Sequence, residues 1–440
     1  MNNNLLTNNG HSCHRKRGKT LGVIELVAIA LGGMVGGGIF TVLGISVSLI
    51  GVYTLLAIVI GGLLAFFAAY AYVKLGSYYQ DEGATYSFYK RTFPNSPFAA
   101  SLIGWWVIFG YISTLALYAY TFSSYALSGF SVADNELVRK LVAGAVIIFF
   151  TLVNLWSVKG MGKIEDFMVY SKLLILAFIS YVLINHSQTS LPVLMKSQSE
   201  FNLLAVLIVA SLTFVAYEGF QLVINAVKEM DQPEKNIPRA IYTALVVAVL
   251  IYVVIAFGAI VAIPFSELID NKEYALAAGA GDVIGQWGTD LVILGALLAT
   301  SSAISGTIFG ASRQMAVIAH DGYFPQALAK RSRRIPMVAI ISMSLLAFIL
   351  ILVGNLTVIL EFGSVTFLIV SLLMAFANFK IRQQTQSSMI ISLISMAGLL
   401  IGVILILYYE WVHQPEQLVF ITGLYVILTL SSWLYARNYK

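Results

Sequence analysis

A run of glycines inside an apolar segment is the first feature of the sequence that could bind a ligand. The stretch LGGMVGGGIF at 31–40 has five glycines, and Gly36, Gly37 and Gly38 are consecutive. Each glycine weakens a helix interior by about 1 kcal/mol relative to alanine, so the sequence predicts a helix that breaks here. The half-helix that follows would present free N–H groups to an anion. Small-xxx-small spacing, beginning at Gly32 and Gly33, leaves close helix packing as an alternative.

A second interruption is expected at Tyr217-Glu218-Gly219, within the apolar segment TFVAYEGFQLVINAVKEM. An acid at membrane depth is costly unless it faces a polar interior. Glu218 could accept a proton, bind a cation or hydrogen-bond to unwound backbone. Phe214, Tyr217 and Phe220 could line a pocket, although core packing is the default for aromatic side chains. Paired interrupted segments point to a transporter binding site.

Lys172 lies in a third apolar segment, YSKLLILAFISYVLI. A lysine at this depth either snorkels to the membrane interface or faces a buried site, where the cost of burying its charge would allow it to gain and lose a proton. Ser301 and Ser302, in the segment ATSSAISGT, could pack helices together or contribute to the same site.

Other chemistry is not expected from this sequence. No strand–helix–strand context surrounds the glycines, and no GxxxxGK[ST] pattern occurs, so neither a dinucleotide nor ATP is predicted. The five histidines lack zinc spacing, and Cys13 is the single cysteine. We therefore predict neither a metal nor a cofactor.

Composition indicates the elements that position these residues. The chain is 59% hydrophobic and 11% charged, whereas soluble proteins have about 25% charged residues. We predict an all-α polytopic membrane protein with twelve apolar segments, each close to the roughly 20 residues of a spanning helix. The segments are 21–45, 50–75, 98–128, 140–156, 165–185, 202–229, 238–264, 288–319, 337–355, 357–380, 388–408 and 417–436.

The basic residues predict the orientation. An even number of spans places both termini on one side, where 21 Lys and Arg residues fall, against 4 on the other side. This asymmetry predicts cytoplasmic termini. Because the basic residues are spread over short loops, nucleic acid is not an expected partner. We interpret the first apolar segment as an uncleaved helix rather than a signal peptide.

The two interrupted segments are the first and the sixth, so the implied repeat is five helices plus five, with the second copy inverted. The predicted organisation is a cytoplasmic tail at 1–20, a first repeat at 21–185, an inverted repeat at 202–380 and two additional helices at 388–436.

Four short motifs, in order and at typical spacing, resemble a known family. They are Gly36-Gly37-Gly38-Ile39-Phe40, which is similar to a GSGIF-type signature; Phe214-x-Ala-Tyr-x-Gly-Phe; Pro233-Glu-Lys-Asn-Ile-Pro238-Arg-Ala-Ile241; and Ala311-Ser-Arg313 followed by Asp321-Gly-x-x-Pro325. Together they resemble the amino acid–polyamine–organocation (APC) superfamily, close to its bacterial and archaeal permeases. The resemblance implies a LeuT-like inverted-repeat fold with discontinuous helices one and six and two extra C-terminal helices.

The resemblance also implies an amino acid at the two breaks. Its carboxylate would meet the N–H groups of Gly37 and Gly38. Its ammonium would meet carbonyl groups at Met34, Val215 and Glu218. Gly36 and Gly219 would complete the unwound segments.

Lys172 falls where proton-coupled, sodium-independent members of the superfamily carry a lysine. The resemblance implies that its ammonium stands in for a sodium ion, with contacts to the Gly32–Gly33 carbonyl region and to Ser301 or Ser302. Two positions depart from the family pattern. Gly37 lacks a serine hydroxyl, and Val215 replaces a bulky aromatic gate, which argues against an arginine/agmatine exchanger.

We therefore predict a proton-coupled permease for neutral amino acids in the inner membrane, working by alternating access as a monomer or homodimer. Its partners would be the amino acid, protons and the lipid bilayer. An obligate exchanger and a polyamine carrier, with Glu218 binding the amine, are alternatives of the same fold. A transporter-like nutrient sensor is an alternative from another class, and an enzyme is the least favoured interpretation.

Overall fold

The computed structural model describes residues 21–437 except 82, 134, 157, 188–189, 192, 195–200, 271–273 and 333–334, and describes only the backbone of 158–166 and 270. The predicted tail at 1–20, with Cys13, lies outside the described residues. The described residues are helical, with two isolated β-bridges.

The α-helices of the described part, in chain order, are α1 (Val23–Met34), α2 (Gly37–Ile50), α3 (Thr54–Tyr79), α4 (Ala84–Thr92), α5 (Pro97–Leu127), α6 (Glu136–Trp156), α7 (Val158–Asn185), α8 (Leu203–Thr213), α9 (Leu222–Asn225), α10 (Pro233–Ala262), α11 (Phe265–Asp270), α12 (Ala275–Ile284), α13 (Gln286–His320), α14 (Met337–Val353), α15 (Leu356–Lys380), α16 (Met389–His413) and α17 (Pro415–Arg437).

Within the described part, nine helices are long and apolar enough to cross a membrane. This confirms the prediction of an all-helical, multi-span membrane protein. α5 and α15 are largely buried within the bundle, whereas α16 and α17 expose most of their surface, as expected of helices that face lipid. The count of twelve spans, their LeuT-like arrangement and the division into two inverted repeats plus two helices stay predictions.

Helix starts follow from local sequence. The side chain of Ser96 accepts a hydrogen bond from the backbone of Ala99, with Pro97 in the first helical turn of α5. Asn355 caps α15 in the same way, through the N–H of Val358. Such caps satisfy donors that the first turn of a helix leaves free, which fixes where these helices begin.

The first apolar segment is broken one residue earlier than its glycines predict. α1 ends at Met34, and the N–H of Gly36 donates to the Met34 carbonyl over 2.8 Å. Val35 has φ −81° and ψ 69°, the geometry of an inverse γ-turn. Gly37 and Gly38 are therefore the first residues of α2 and do not lie in unwound chain.

The sixth apolar segment is interrupted where the sequence predicts. α8 passes into a 3₁₀ turn at Phe214–Tyr217, and Glu218 is extended with φ −67° and ψ 143°. Gly219 then adopts φ +125°, a conformation that favours glycine. Helical structure resumes at α9.

Candidate functional site

The two interruptions contact each other through bare backbone. A Cβ atom on Gly219 would lie 2.6 Å from the Gly33 carbonyl carbon and 2.7 Å from the Met34 nitrogen. A Cβ on Gly33 would lie 3.1 Å from the Gly219 Cα. Both positions therefore require glycine, and the last turn of α1 lies directly against the unwound part of the sixth segment.

Free N–H groups gather at the start of α2. Gly36 is its N-cap residue, and no acceptor in the described part of the chain takes the N–H groups of Gly37 or Gly38. Donors of this kind, at the positive end of a helix dipole, suit a carboxylate. The structure thus places the two glycines where their N–H groups are available.

The faces of these glycines that lack a side chain are closely packed. A Cβ on Gly36 would lie 2.6 Å from the Ala303 Cβ, and one on Gly38 would lie 3.0 Å from the Ala216 Cα. A Cβ on Gly37 would lie 3.0 Å from the Thr121 Cβ. Helix packing and free N–H groups, first set out as alternatives, occur together at the same residues.

The predicted ammonium ligands differ in their availability. The Met34 carbonyl accepts from the Tyr252 hydroxyl over 2.7 Å and from Gly36. The Val215 carbonyl accepts from the Glu218 N–H over 3.2 Å. No donor within the described residues reaches the Glu218 carbonyl. Of these three, the Glu218 oxygen is the one without a protein partner in that part of the chain.

Two tyrosines that the sequence did not single out hold the breaks in place. The Tyr252 hydroxyl, from α10, lies 2.7 Å from the Met34 carbonyl oxygen and 2.7 Å from that of Ala216. The Tyr118 hydroxyl, from α5, donates to the Gly33 carbonyl over 3.2 Å. The chain has 23 tyrosines, and nothing in the local sequence distinguishes these two from core residues.

Glu218 is buried, with 2% of its surface exposed. Its Oε2 accepts a hydrogen bond from the Gln221 amide, whose own oxygen accepts the Gly219 N–H over 3.1 Å. Its Oε1 has no partner within the described part. Glu218 and Gln221 thus hold the unwound backbone while one carboxyl oxygen remains available.

The predicted aromatic residues are buried, and two of them have contacts away from α1. The Tyr217 hydroxyl donates to the Ile58 carbonyl of α3 over 2.7 Å, and Phe220 packs edge-on against Tyr72, with ring centroids 5.4 Å apart. Phe214 is fully buried. Tyr217 therefore anchors the sixth segment to α3.

Lys172 joins three helices. Its Nζ donates to the Gly32 carbonyl over 3.0 Å and the Val35 carbonyl over 2.6 Å, both at the end of α1. It also donates to the Ser302 Oγ of α13 over 2.7 Å. The side chain has 0% exposure, so it does not snorkel to an interface. Ser301 is also buried, but within the described part of the chain no hydrogen bond joins it to Lys172.

Comparison with known proteins identifies a family that matches almost the whole chain. The family model described as amino acid permease matches residues 21–432. The chain is 28% identical over 426 residues to the inner membrane transport protein YbaT of Escherichia coli. The aligned region covers 96% of this chain and 97% of YbaT.

Two further relatives are protein MJ0609 of Methanocaldococcus jannaschii, 28% identical over 400 residues and 90% of each chain, and the branched-chain amino acid permease BcaP of Bacillus subtilis. BcaP is 27% identical over 335 residues, which is 71% of this chain and 69% of BcaP.

Proposed function

This chain belongs to the amino acid permease family, and we propose that it carries a neutral amino acid together with a proton across the membrane by alternating access. The observation that carries the proposal is the Lys172 ammonium, which joins the end of α1 to α13 beside the break. The free N–H groups of Gly37 and Gly38 supply the second element, a place for the substrate carboxylate.

The substrate would lie between the two breaks. Its carboxylate would accept from Gly37 and Gly38 at the start of α2. Its ammonium would donate to the free Glu218 carbonyl, while Met34 and Val215 supply further carbonyl oxygens if their present bonds open. The arrangement places opposite charges of an amino acid on opposite ends of two interrupted helices.

The proton would be carried by Lys172. A lysine ammonium has three N–H donors, and three oxygens lie within 3.0 Å of this one. Loss of the proton removes a donor and the charge that holds the carbonyl oxygens. The contact between α1 and α13 would then weaken, which couples proton release to movement of the broken helix. A fixed positive charge also argues against sodium at this position.

The charges around the breaks favour a substrate whose side chain is neutral. Glu218 is the one carboxyl group there among the described residues, and Gln221 occupies one of its oxygens. The name of the relative BcaP refers to branched-chain amino acids, which are neutral. We therefore propose a neutral amino acid rather than a polyamine.

The proposed setting is the inner membrane, which appears in the name of the relative YbaT. The excess of basic residues in one set of loops supports a cytoplasmic position for both termini. The two five-helix repeats, related by inversion, would provide the moving and fixed parts, in a monomer or homodimer.

The test is transport in vesicles that contain the purified protein. A thermal-shift screen against the twenty amino acids and common amines would first select the substrate, because a ligand that binds the folded state raises apparent stability. Uptake of that labelled amino acid is then measured with and without an inward proton gradient. We expect accumulation above equilibrium only with the gradient.

Three other outcomes would each replace the proposal. Absence of accumulation under the gradient would show that uptake is not proton-driven. Transport that requires substrate on both sides would indicate an obligate exchanger. Competition by putrescine, with none by neutral amino acids, would indicate a polyamine carrier.

A further inference from the structure

Two buried carboxyl groups meet away from the substrate site. Glu361 lies on α15 and Glu410 near the end of α16, and their exposed fractions are 1% and 0%. The two carboxyl groups lie within side-chain hydrogen-bonding reach of each other. None of the residues described above for the amino acid site is on either helix. The pair is therefore separate from the amino acid site.

The oxygen atoms of this pair lack other partners. Apart from the mutual contact, no donor in the described part of the chain reaches Glu361 Oε2 or either oxygen of Glu410. Two ionised carboxylates in contact, away from water, would repel strongly. A carboxyl group donates a hydrogen bond only when it is protonated. The contact therefore requires one proton between the two groups.

Within the described part of the chain, neither carboxyl group of the pair forms a salt bridge. The other titratable groups that interact with it by charge are Tyr409 and His413, both on α16. From the helices packed against α15, Tyr425 packs against Phe362, the residue after Glu361, and bonds to Thr366, whereas Tyr111 lies farther along, at Phe367. His413 is exposed at the end of α16, so the pair lies one turn from the end of that helix.

α15 connects the pair to the interrupted sixth segment. Two residues beyond Glu361, a Cβ on Gly363 would lie 3.4 Å from the Val215 Cγ2. One residue further, the Ser364 hydroxyl donates to the Leu212 carbonyl over 3.0 Å. A change in the charge of the pair would therefore act on a helix that contacts the proposed site directly.

We propose that Glu361 and Glu410 form a proton-binding site outside the amino acid site. It holds one shared proton and exchanges it with water at the end of the bundle where α16 meets α17. The predicted topology puts that end on the outer side of the membrane. The part that this site plays in transport rests on the proposed proton-coupled function, whereas the presence of the shared proton does not.

The first experiment detects the proton without any substrate. Infrared spectra of the purified protein at neutral pH would be compared between wild type, the double variant E361Q/E410Q and E416Q. The glutamine pair can still hydrogen-bond, so it preserves the contact, and Glu416 is an exposed residue at the same end of the bundle. We expect a protonated-carboxyl band, shifted in D₂O, that is lost in the double variant and kept in E416Q.

An unchanged band in the double variant, or no such band in wild type, would overturn the proposal. A band that appears only after sodium is removed would assign a sodium site instead. Because no substrate is present, these results are interpretable even if proton-coupled uptake is disproved.

The second experiment tests the role in transport by exchange of labelled for unlabelled substrate across the vesicle membrane, without a proton gradient. The substrate is the amino acid selected by the thermal-shift screen. We expect the pH profile of exchange to change in the single variants E361Q and E410Q, while E416Q keeps the wild-type profile. If the pH profiles of the single variants and wild type coincide, the pair does not take part in transport.

Discussion

The Nζ atom of Lys172 lies 2.6 Å from the carbonyl oxygen of Val35, the residue that directly follows α1. A carbonyl group at the end of a helix lacks its intrahelical partner, and at membrane depth such a group needs another donor. A buried ammonium provides that donor. The lysine therefore stabilises the interruption itself, in addition to any part it plays in proton movement.

Lys172→Ala is predicted to abolish proton-coupled accumulation. The variant leaves the Gly32 and Val35 carbonyl groups and the Ser302 hydroxyl without their donor, so α1 and α13 lose their direct link. The measurement is uptake under an inward proton gradient, with substrate exchange as a second readout of binding. Lys330→Ala, at an exposed lysine, is the matched control and should behave like wild type. An unchanged pH dependence of uptake in Lys172→Ala would exclude the lysine from coupling.

Gly219→Ala is predicted to destabilise the protein by at least about 2 kcal/mol, from backbone strain and overpacking. The residue has φ +125°, and the added Cβ would meet backbone atoms of Gly33 and Met34. The measurement is the thermal unfolding temperature of the purified protein. Gly423→Ala is the control, because a Cβ there meets nothing within 4 Å, and we expect no loss. Equal stability of the two variants would contradict the backbone contact.

Tyr252→Phe is predicted to weaken substrate binding and to cost about 1–3 kcal/mol of stability, because the Met34 and Ala216 carbonyl groups lose a shared buried partner. The phenyl ring keeps the packing, so any effect comes from the hydroxyl. Binding is measured by the thermal shift on adding substrate. Tyr181→Phe, whose side chain is 66% exposed, is the control. A Tyr252→Phe protein with wild-type affinity would show that the hydroxyl does not position the breaks.

Glu218→Gln is predicted to fold and to retain substrate-coupled proton movement. The amide oxygen of the new side chain can still accept from Gln221, which preserves the support of the Gly219 N–H. The measurement is the entry of protons with substrate, followed by a pH-sensitive dye inside vesicles. Loss of coupled proton movement with normal substrate binding would assign the proton to Glu218 instead of Lys172.

Sequence reasoning could find the interrupted segments because glycine and a mid-span acid are local signals. The position of the first break differed by one residue, because a γ-turn at Val35 opens the chain before the glycines are reached. Tyr118 and Tyr252 could not be found, since their roles depend on helices distant in sequence that bring one hydroxyl to a particular carbonyl.

Glu410 was missed for a different reason. The predicted span ended at residue 408, so Glu410 lay outside it, in a predicted loop. In the structure α16 continues to His413, so the same residue lies within a helix and opposite Glu361. A hydropathy window cannot show that two carboxyl groups on separate helices lie close enough to share one proton.

The backbone contact between Gly33 and Gly219 has a consequence for how the molecule can move. Side chains between two helices can change rotamer and so absorb part of a displacement, but no side chain separates these two residues. A rotation of α1 would therefore be transmitted undiminished to the turn before α9. The two interrupted segments should behave as a single mechanical unit, and a conformational cycle that moves one without the other would first have to separate them.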